Sequence, residues 1–244
     1  MTDAAPEILP LGVDAVLVRF ANRLSDEANP AALAFRGALE TNRPAAVIET
    51  ATSLTSVMVR FDLHQTDRAR IEDILRMRLT QQNWYHALLP KGRKLWRIPA
   101  VFGGSYGRQL EQVADAVGLS PDNAIADLAA TELRVMAIGF APGQPYLGFL
   151  GEHWNIPRQT EVNPQVPQGA VVVAVRQVIP FANAAPTGWW HIGQTAFRCY
   201  SKGGAPPIPL RAGDSVRFEP VPASDFVRLQ DTGPLGGATA EVIA

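Results

Sequence analysis

The sequence predicts an α+β protein in two parts, a split β-α-β layer followed by a strand-rich barrel or sandwich. Two observations carry this. Up to about residue 93 β-rich stretches alternate with helical ones, whereas from Leu133 onward short β-rich pieces follow one another between Pro- and Gly-bearing turns. With 244 residues and 47% hydrophobic content, the chain is long enough for one large domain or two ordinary ones.

Residues Ala15 to Phe20 read AVLVRF, β-branched and apolar, and predict a first strand. Asn29-Pro30 then opens AALAFRGALE with a cap residue and a proline at the first helical position. PAAVIET (Pro44 to Thr50) and TSVMVRF (Thr55 to Phe61) predict two strands split by a short turn. A helix from Thr66 through Leu79 follows, with Ile71, Ile74 and Leu75 at helical spacing. The order β, α, β, β, α lacks one strand of a ferredoxin-like split β-α-β unit, and KLWRIPAVF (Lys94 to Phe102) is placed to supply it. Residues Gln81 to Arg93 read as a linker or long loop. The first domain is therefore expected over residues 1–93, with 94–102 as the candidate for its last strand.

Two helices come next, GRQLEQVADAVG and a segment opened by Ser120-Pro121. LRVMAIGF, GAVVVAV, GWWHIG, TAFRCYS and DSVRFEPV then predict the strands of the second domain, residues 94–230. The tail, residues 231–244, is Gly-rich with little apolar material, and is expected to be mobile or partner-bound.

Composition narrows the function. Lys plus Arg number 22 against 23 for Asp plus Glu, so no field of either sign exists to hold nucleic acid or an acidic membrane surface. No apolar stretch approaches the roughly 20 residues that span a bilayer. The single cysteine, Cys199, and a start lacking the basic flank and apolar core of a signal peptide point to a reducing cytoplasm. His64, His86, His153 and His191 have no ligand spacing, so no metal site is expected. Cys199 lacks an activating pattern and reads as a small buried hydrophobe.

The segment GFAPGQPYLGFL (Gly139 to Leu150) concentrates glycine, proline and aromatics directly after a predicted strand. It reads either as a rigid loop presenting main-chain N–H groups to an anion or as a structural corner between the two domains. FGGSYG (Phe102 to Gly107) precedes a predicted helix but lacks the Lys-Ser or Lys-Thr of a P-loop, so a turn leading into that helix is the commoner explanation. No GxSxG elbow supports serine hydrolase chemistry. Glu132, Glu152 and Glu161 flank the glycine-proline loop as candidate bases, while Arg158 and Arg176-Gln177 suit recognition of a carboxylate or phosphate.

In order and spacing, WRIPAVFGGSYGRQLEQVA, RVMAIGFAPGQPYLGFL, IPR, VPQGAVVVAV, PTGWWHIGQT and LRAGDSVRFEPV resemble the family that contains the 5-oxoprolinase B-subunit. That family also contains allophanate hydrolase subunit 1 and a bacterial inhibitor of the sporulation histidine kinase. LPLGVDAVLVRF and SLTSVMVRFD resemble its N-terminal signatures, so the likeness spans about residues 7 to 222.

The resemblance implies a ferredoxin-like N-terminal domain followed by a cyclophilin-like β-barrel. It implies a subunit that hydrolyses an amide at the expense of ATP, with Mg as the accompanying ion, most closely 5-oxoproline to L-glutamate. A related cyclophilin-like barrel partner, of the type of the 5-oxoprolinase C-subunit or allophanate hydrolase subunit 2, is implied, without which the chain is inactive, together with a third oxoprolinase subunit. The alternative it carries is a non-catalytic regulator such as a histidine kinase inhibitor. Candidate substrate contacts are Gly139, Phe140, Pro142, Gly143, Tyr146, Arg158 and Gln177, with Tyr146, Phe149 and Trp189 as interface aromatics. No catalytic residue is assigned.

The sequence also departs from the family pattern. Leu128 stands where a histidine is usual, Leu133 for a tyrosine, Gln144 for a phenylalanine, Asn163 for an arginine, Phe181 for a tyrosine and Gln194 for an arginine. Losing several polar groups at once is expected to change the substrate or abolish catalysis.

Overall fold

A computed structural model describes residues 5–243, which fall into two compact units divided between Lys91 and Gly92. In the first unit, strands β1 (Glu7–Leu11) and β2 (Ala15–Arg19) form a hairpin, and helix α1 (Ala28–Thr41) follows. The hairpin β3 (Val47–Ser53) and β4 (Ser56–Phe61) and helix α2 (Arg68–Leu79) complete the unit. The sheet is antiparallel throughout, in the order β1-β2-β4-β3.

The fourth strand of this split β-α-β layer is thus not Lys94 to Phe102. Glu7–Leu11, unread in the sequence, pairs along the free edge of β2 and closes the layer from the N-terminal side. That edge is then occupied, and the later segment is free to join the second unit. Buried Val16, Val18, Val57, Val59 and Phe61 pack against Phe35 and Leu39 of α1 and Ile71 and Leu75 of α2.

Helix α1 begins at Ala28, two residues before the expected first helical position at Pro30, and Ser25 Oγ accepts the Ala28 N–H at 3.1 Å. Asn29 is buried instead of capping, and its Nδ2 donates to Leu54 O at 2.6 Å, tying the helix to the β3–β4 turn. The expected linker at 81–93 is partly anchored. Trp84 is buried edge-on against Phe35, with ring centroids 5.0 Å apart, and Tyr85 Oη donates to Phe20 O at 2.5 Å.

The second unit opens with β5 (Lys94–Phe102), then α3 (Leu110–Ala116), α4 (Pro121–Ala130), β6 (Leu133–Ile138), β7 (Pro145–Gly148) and β8 (Asn163–Val166). It continues with β9 (Ala170–Ala174), β10 (Gln177–Pro180), β11 (Ala185–Thr187), β12 (Trp190–Thr195), β13 (Ser215–Pro220), α5 (Phe226–Asp231) and β14 (Thr239–Val242). The order β12-β9-β10-β7-β6-β13-β5 returns to β12, so seven strands close into a barrel among the described residues. It is mixed because β13 runs parallel to β5 while the other neighbours are antiparallel.

Alternation along the strands divides two apolar sets. Val135, Leu147, Val171, Val173, Val178 and Ile192 point inward to a core shared with Trp96, Phe218 and the buried faces of α3 and α4. Val172, Ala174 and Ile179 point outward and form a second cluster with Phe181 and Trp189, joined by Val166 of β8 and by Ala185 of β11. The β8–β11 ribbon therefore covers part of the barrel's outer face.

Ser120 caps α4 as the sequence predicts, accepting the Asn123 N–H. TAFRCYS is not a strand beyond Thr195. The Phe197 N–H donates to Thr195 Oγ1 and the Arg198 N–H to Pro234 O, so no ladder can continue. The tail expected to be mobile instead adds β14 to the half of β5 that β12 leaves open, with Thr239 opposite Arg97. Backbone pairing needs no apolar side chains, which is why a Gly-rich composition concealed it. No helix among the described residues is long and apolar enough to cross a membrane.

Candidate functional site

The GFAPGQPYLGFL segment is the β6–β7 hairpin. Its loop is closed by the Gly139 N–H donating to Gln144 O at 3.0 Å and by the Gln144 N–H donating to Ala141 O at 3.1 Å. The Gly139 amide, expected to face a ligand, is thereby spent within the loop. Those of Phe140, Ala141 and Gly143 have no protein acceptor among the described residues.

Phe140 sits at the tip with φ +71° and a side chain 81% exposed, and Pro142 beside it is exposed too. A bulky residue in the left-handed region is an outlier that the surrounding structure must hold in place. Gly143, at φ +75°, does the holding, because a Cβ there would lie 2.1 Å from Cys199 O. Gln144, the departure from phenylalanine, is buried, and its Oε1 accepts the Ala182 N–H at 3.3 Å.

Behind the loop, Tyr146 of β7 lies half-buried on the outer cluster, and β6 carries a bulge at Met136 opposite it. Gln177, first residue of β10, pairs with Gly148 and shares the outer face with Ile179. It is 6% exposed and its Nε2 finds no partner among the described residues. A buried amide without an acceptor costs roughly 1–3 kcal/mol, so this group requires an explanation.

Arg158 lies on the same side. Its exposed guanidinium stands 5.2 Å from the centroid of Trp189 and has no carboxylate partner among the described residues. Tyr146, Gln177, Arg158 and Trp189 are therefore brought to one side of the barrel, although Trp189 is only 5% exposed and offers little surface to a partner. Phe149 is half-buried beneath Arg176, which pairs with Glu152 and donates from Nε to Leu150 O at 2.9 Å. Arg176 and Glu152 are thus occupied with each other.

Sequence reasoning missed the amide network that holds this side together. Gln109 Nε2 donates to Gln159 Oε1 at 2.5 Å, and Gln159 Nε2 donates to Trp189 O at 2.8 Å. Asn163 Nδ2 donates to Gln109 Oε1 and Trp189 O, both at 3.1 Å, and the His191 N–H donates to Gln109 Oε1 at 2.8 Å. These partners lie 26 to 82 residues apart in sequence, so no local signal could announce them.

Of the departures from the family pattern, Asn163 belongs to this network and the others serve the fold elsewhere. Asn163 is a structural bracket, Gln194 donates to Gln168 O at 2.6 Å, and Leu128, Leu133 and Phe181 are core residues. FGGSYG is a packed turn, since a Cβ on Gly107 would lie 2.0 Å from Ile192 O.

His191 is buried, and its Nε2 lies 3.0 Å from Gly193 O. A carbonyl can only accept, so Nε2 carries the proton and Nδ1 is the free base. Burial foremost holds its pKa below the usual histidine value, with Arg108 adding to the effect. A lowered folded pKa means that the unfolded chain takes the proton first. Stability is therefore complete above the unfolded value near 6.5 and is lost as pH falls through the folded one. His191→Gln is expected to lessen the loss of Tm between pH 7.5 and 5.5, measured by thermal melts.

Cys199 is fully buried, its Sγ donating to Pro180 O at 3.4 Å, and burial pushes its thiol up to about 12. Native protein is expected to resist a thiol reagent that labels Cys199 rapidly in denaturant. No group of three or more His, Cys, Asp and Glu among the described residues is placed to hold a metal ion.

An N-terminal antiparallel α+β layer followed by a mixed β-barrel with a rigid β6–β7 loop defines a two-unit protein whose polar candidates gather on the barrel's outer side. Residues 6–210 match the family described as carboxyltransferase domain, subdomain C and D, and the chain belongs to it. The chain is 29% identical over 227 residues to the 5-oxoprolinase B-subunit of Bacillus subtilis, covering 90% of this chain and 95% of that protein. With the 5-oxoprolinase B-subunit of Escherichia coli O157:H7 it shares 39% identity over 142 residues, 57% of this chain and 65% of that one. Among solved structures, TTHA0988 superposes with a TM-score of 0.72 at 29% identity, over 86% of this chain but only 40% of its own length.

Proposed function

We propose that this protein is the B-type component of an ATP-dependent 5-oxoprolinase, and that it opens 5-oxoproline to L-glutamate together with a related barrel subunit. A third oxoprolinase subunit completes the set. The observation that carries the reading is the orphaned, buried Gln177 amide on the barrel side that also carries Tyr146 and Arg158, which has no carboxylate partner among the described residues. It occurs in a chain similar over 90% of its length to a protein named as the 5-oxoprolinase B-subunit. TTHA0988 is longer by more than half its own length, consistent with further domains working alongside this one.

Arg158 suits the carboxylate of 5-oxoproline by a bidentate fork. Gln177 Nε2 suits its ring carbonyl, the acceptor the amide lacks in the protein. An unstrained amide is a poor electrophile, and spending ATP remedies this. The carbonyl oxygen attacks the γ-phosphorus and ADP leaves. Water then adds to the activated carbon and the ring C–N bond breaks, the nitrogen taking a proton. A second water releases phosphate from the resulting acyl phosphate and leaves the glutamate side-chain carboxylate. Mg accompanies ATP as its usual counter-ion.

The test is ATP hydrolysis by the chain co-purified with its barrel partner, with and without 5-oxoproline. Turnover stimulated by 5-oxoproline and absent from either protein alone supports the reading. Silence combined with a tight complex with a histidine kinase would assign the chain to the regulators instead. Phe140, exposed on a fixed loop, is the expected anchor for the partner. Phe140→Ser is expected to leave Tm unchanged and weaken the complex by about 2 kcal/mol, the scale of an aromatic hot spot, in a titration by light scattering.

A further inference from the structure

A concave site lies on the barrel, lined by none of the residues of the strands that carry Tyr146 and Gln177. Its volume is about 280 Å³, and it is built from the start of β5, the β12–β13 connection and the segment before β14. Pro206, Pro207, Pro209, Pro234 and Leu235 give it apolar walls, and Trp96 lines it as a buried residue. Proline walls are stiff, so the cavity exists before any ligand arrives.

Lys94, Arg198 and Arg211 also line the cavity. None of the three has a carboxylate within ion-pair distance among the described residues, whereas Arg19, Arg60, Arg76, Arg97, Arg176 and Arg228 each do. Lys94 Nζ instead stands 5.8 Å from the Trp96 ring centroid. The one acid in the wall, Asp214, is buried and already engaged. Its Oδ1 accepts the Lys94 N–H at 2.9 Å, and its Oδ2 accepts Trp96 Nε1–H at 3.2 Å and the Arg211 N–H at 3.0 Å. Its charge is thereby committed to the frame that shapes the pocket. In a chain of net charge −1, three cations against the single carboxylate of Asp214 around one stiff apolar cavity are a local positive excess that the overall balance does not explain.

We propose that this cavity is a second ligand site, and that it takes an organic phosphate: an apolar or aromatic body carrying at least two clustered negative charges, as a nucleotide does. Two arginine forks and an ammonium exceed what a single carboxylate needs and match the oxygens of a phosphate chain. The apolar walls are what an inorganic anion would leave unfilled. The inference does not depend on the oxoprolinase reading, because it concerns binding to the chain alone.

Calorimetric titration of the full chain at low salt, without the barrel partner, tests it with ATP, ADP, AMP, tripolyphosphate, 5-oxoproline and glutamate as probes. ATP and ADP are expected to bind, AMP more weakly, and tripolyphosphate more weakly than ATP, with affinity falling as salt is raised. Arg198→Glu with Arg211→Glu is expected to weaken ATP binding at least tenfold while the melting curve stays in place, since both side chains are exposed. The double lysine variant, which keeps charge but loses both forks, is expected to fall between the two.

Absence of nucleotide binding, or ATP binding that the glutamate pair leaves unchanged, would overturn the site. Tripolyphosphate binding as tightly as ATP would reduce it to a charge cluster and overturn the organic ligand. Binding of 5-oxoproline or glutamate lost in the variant would overturn the phosphate in favour of a carboxylate.

Discussion

Gly143→Ala is expected to lower the stability of the barrel unit by about 3 kcal/mol, combining the left-handed backbone penalty of ~1–2 kcal/mol with overpacking of ~1–3 kcal/mol. The added Cβ would fall 2.1 Å from Cys199 O, a backbone atom that cannot swing aside as a side chain would. The β6–β7 loop or the Cys199 segment must therefore move, and Phe140 loses the support that fixes it. Thermal melting is expected to show a drop of roughly 10 °C in the barrel transition, at about 2–4 °C per kcal/mol for a unit of this size. Native Cys199 is expected to become reactive toward thiol reagents as its cover loosens. A variant that melts like the parent and keeps the thiol protected would show that the loop is not pinned there.

Gln177→Met is expected to act in opposite directions on stability and on turnover. The change keeps the volume and removes an amide whose Nε2 has no partner, so stability is expected to rise by about 1 kcal/mol, within the ~1–3 kcal/mol cost of an unmade hydrogen bond. If the amide donates to the reacting carbonyl, turnover of 5-oxoproline by the reconstituted complex is expected to fall about 100-fold, the usual loss when one such donor is removed. A structural role alone would lower both quantities together. Unchanged turnover with raised stability would remove Gln177 from the reaction.

Much of the secondary structure was legible because its signals are local. Ser120-Pro121 announces α4 through a side-chain cap and a proline inside the first turn. The β-branched runs of β2, β4 and β9 announce themselves by composition. Strands β7, β8, β10 and β11, at three to four residues each, are too short for any periodicity to register. Pairing partners were not legible at all. Whether Lys94 to Phe102 closes the first sheet or the barrel depends on which edge is free, and the β1–β2 hairpin decides that from the other end of the unit.

The candidate residues divide in the same way. Glycine, proline, arginine and exposed aromatics in GFAPGQPYLGFL and IPR identify themselves by type, and the sequence alone determined the family likeness, the two-part α+β architecture and the loop around which a site would be sought. Only the tertiary structure decided which polar groups are committed and which are free. Arg176 is taken by Glu152, Asn163 and Gln194 are taken by backbone carbonyls, and Gln177 is left without a partner. A side chain's type states what it can bond to. Whether a partner fills that capacity depends on contacts between residues far apart in the chain, which only the folded register brings within hydrogen-bond reach.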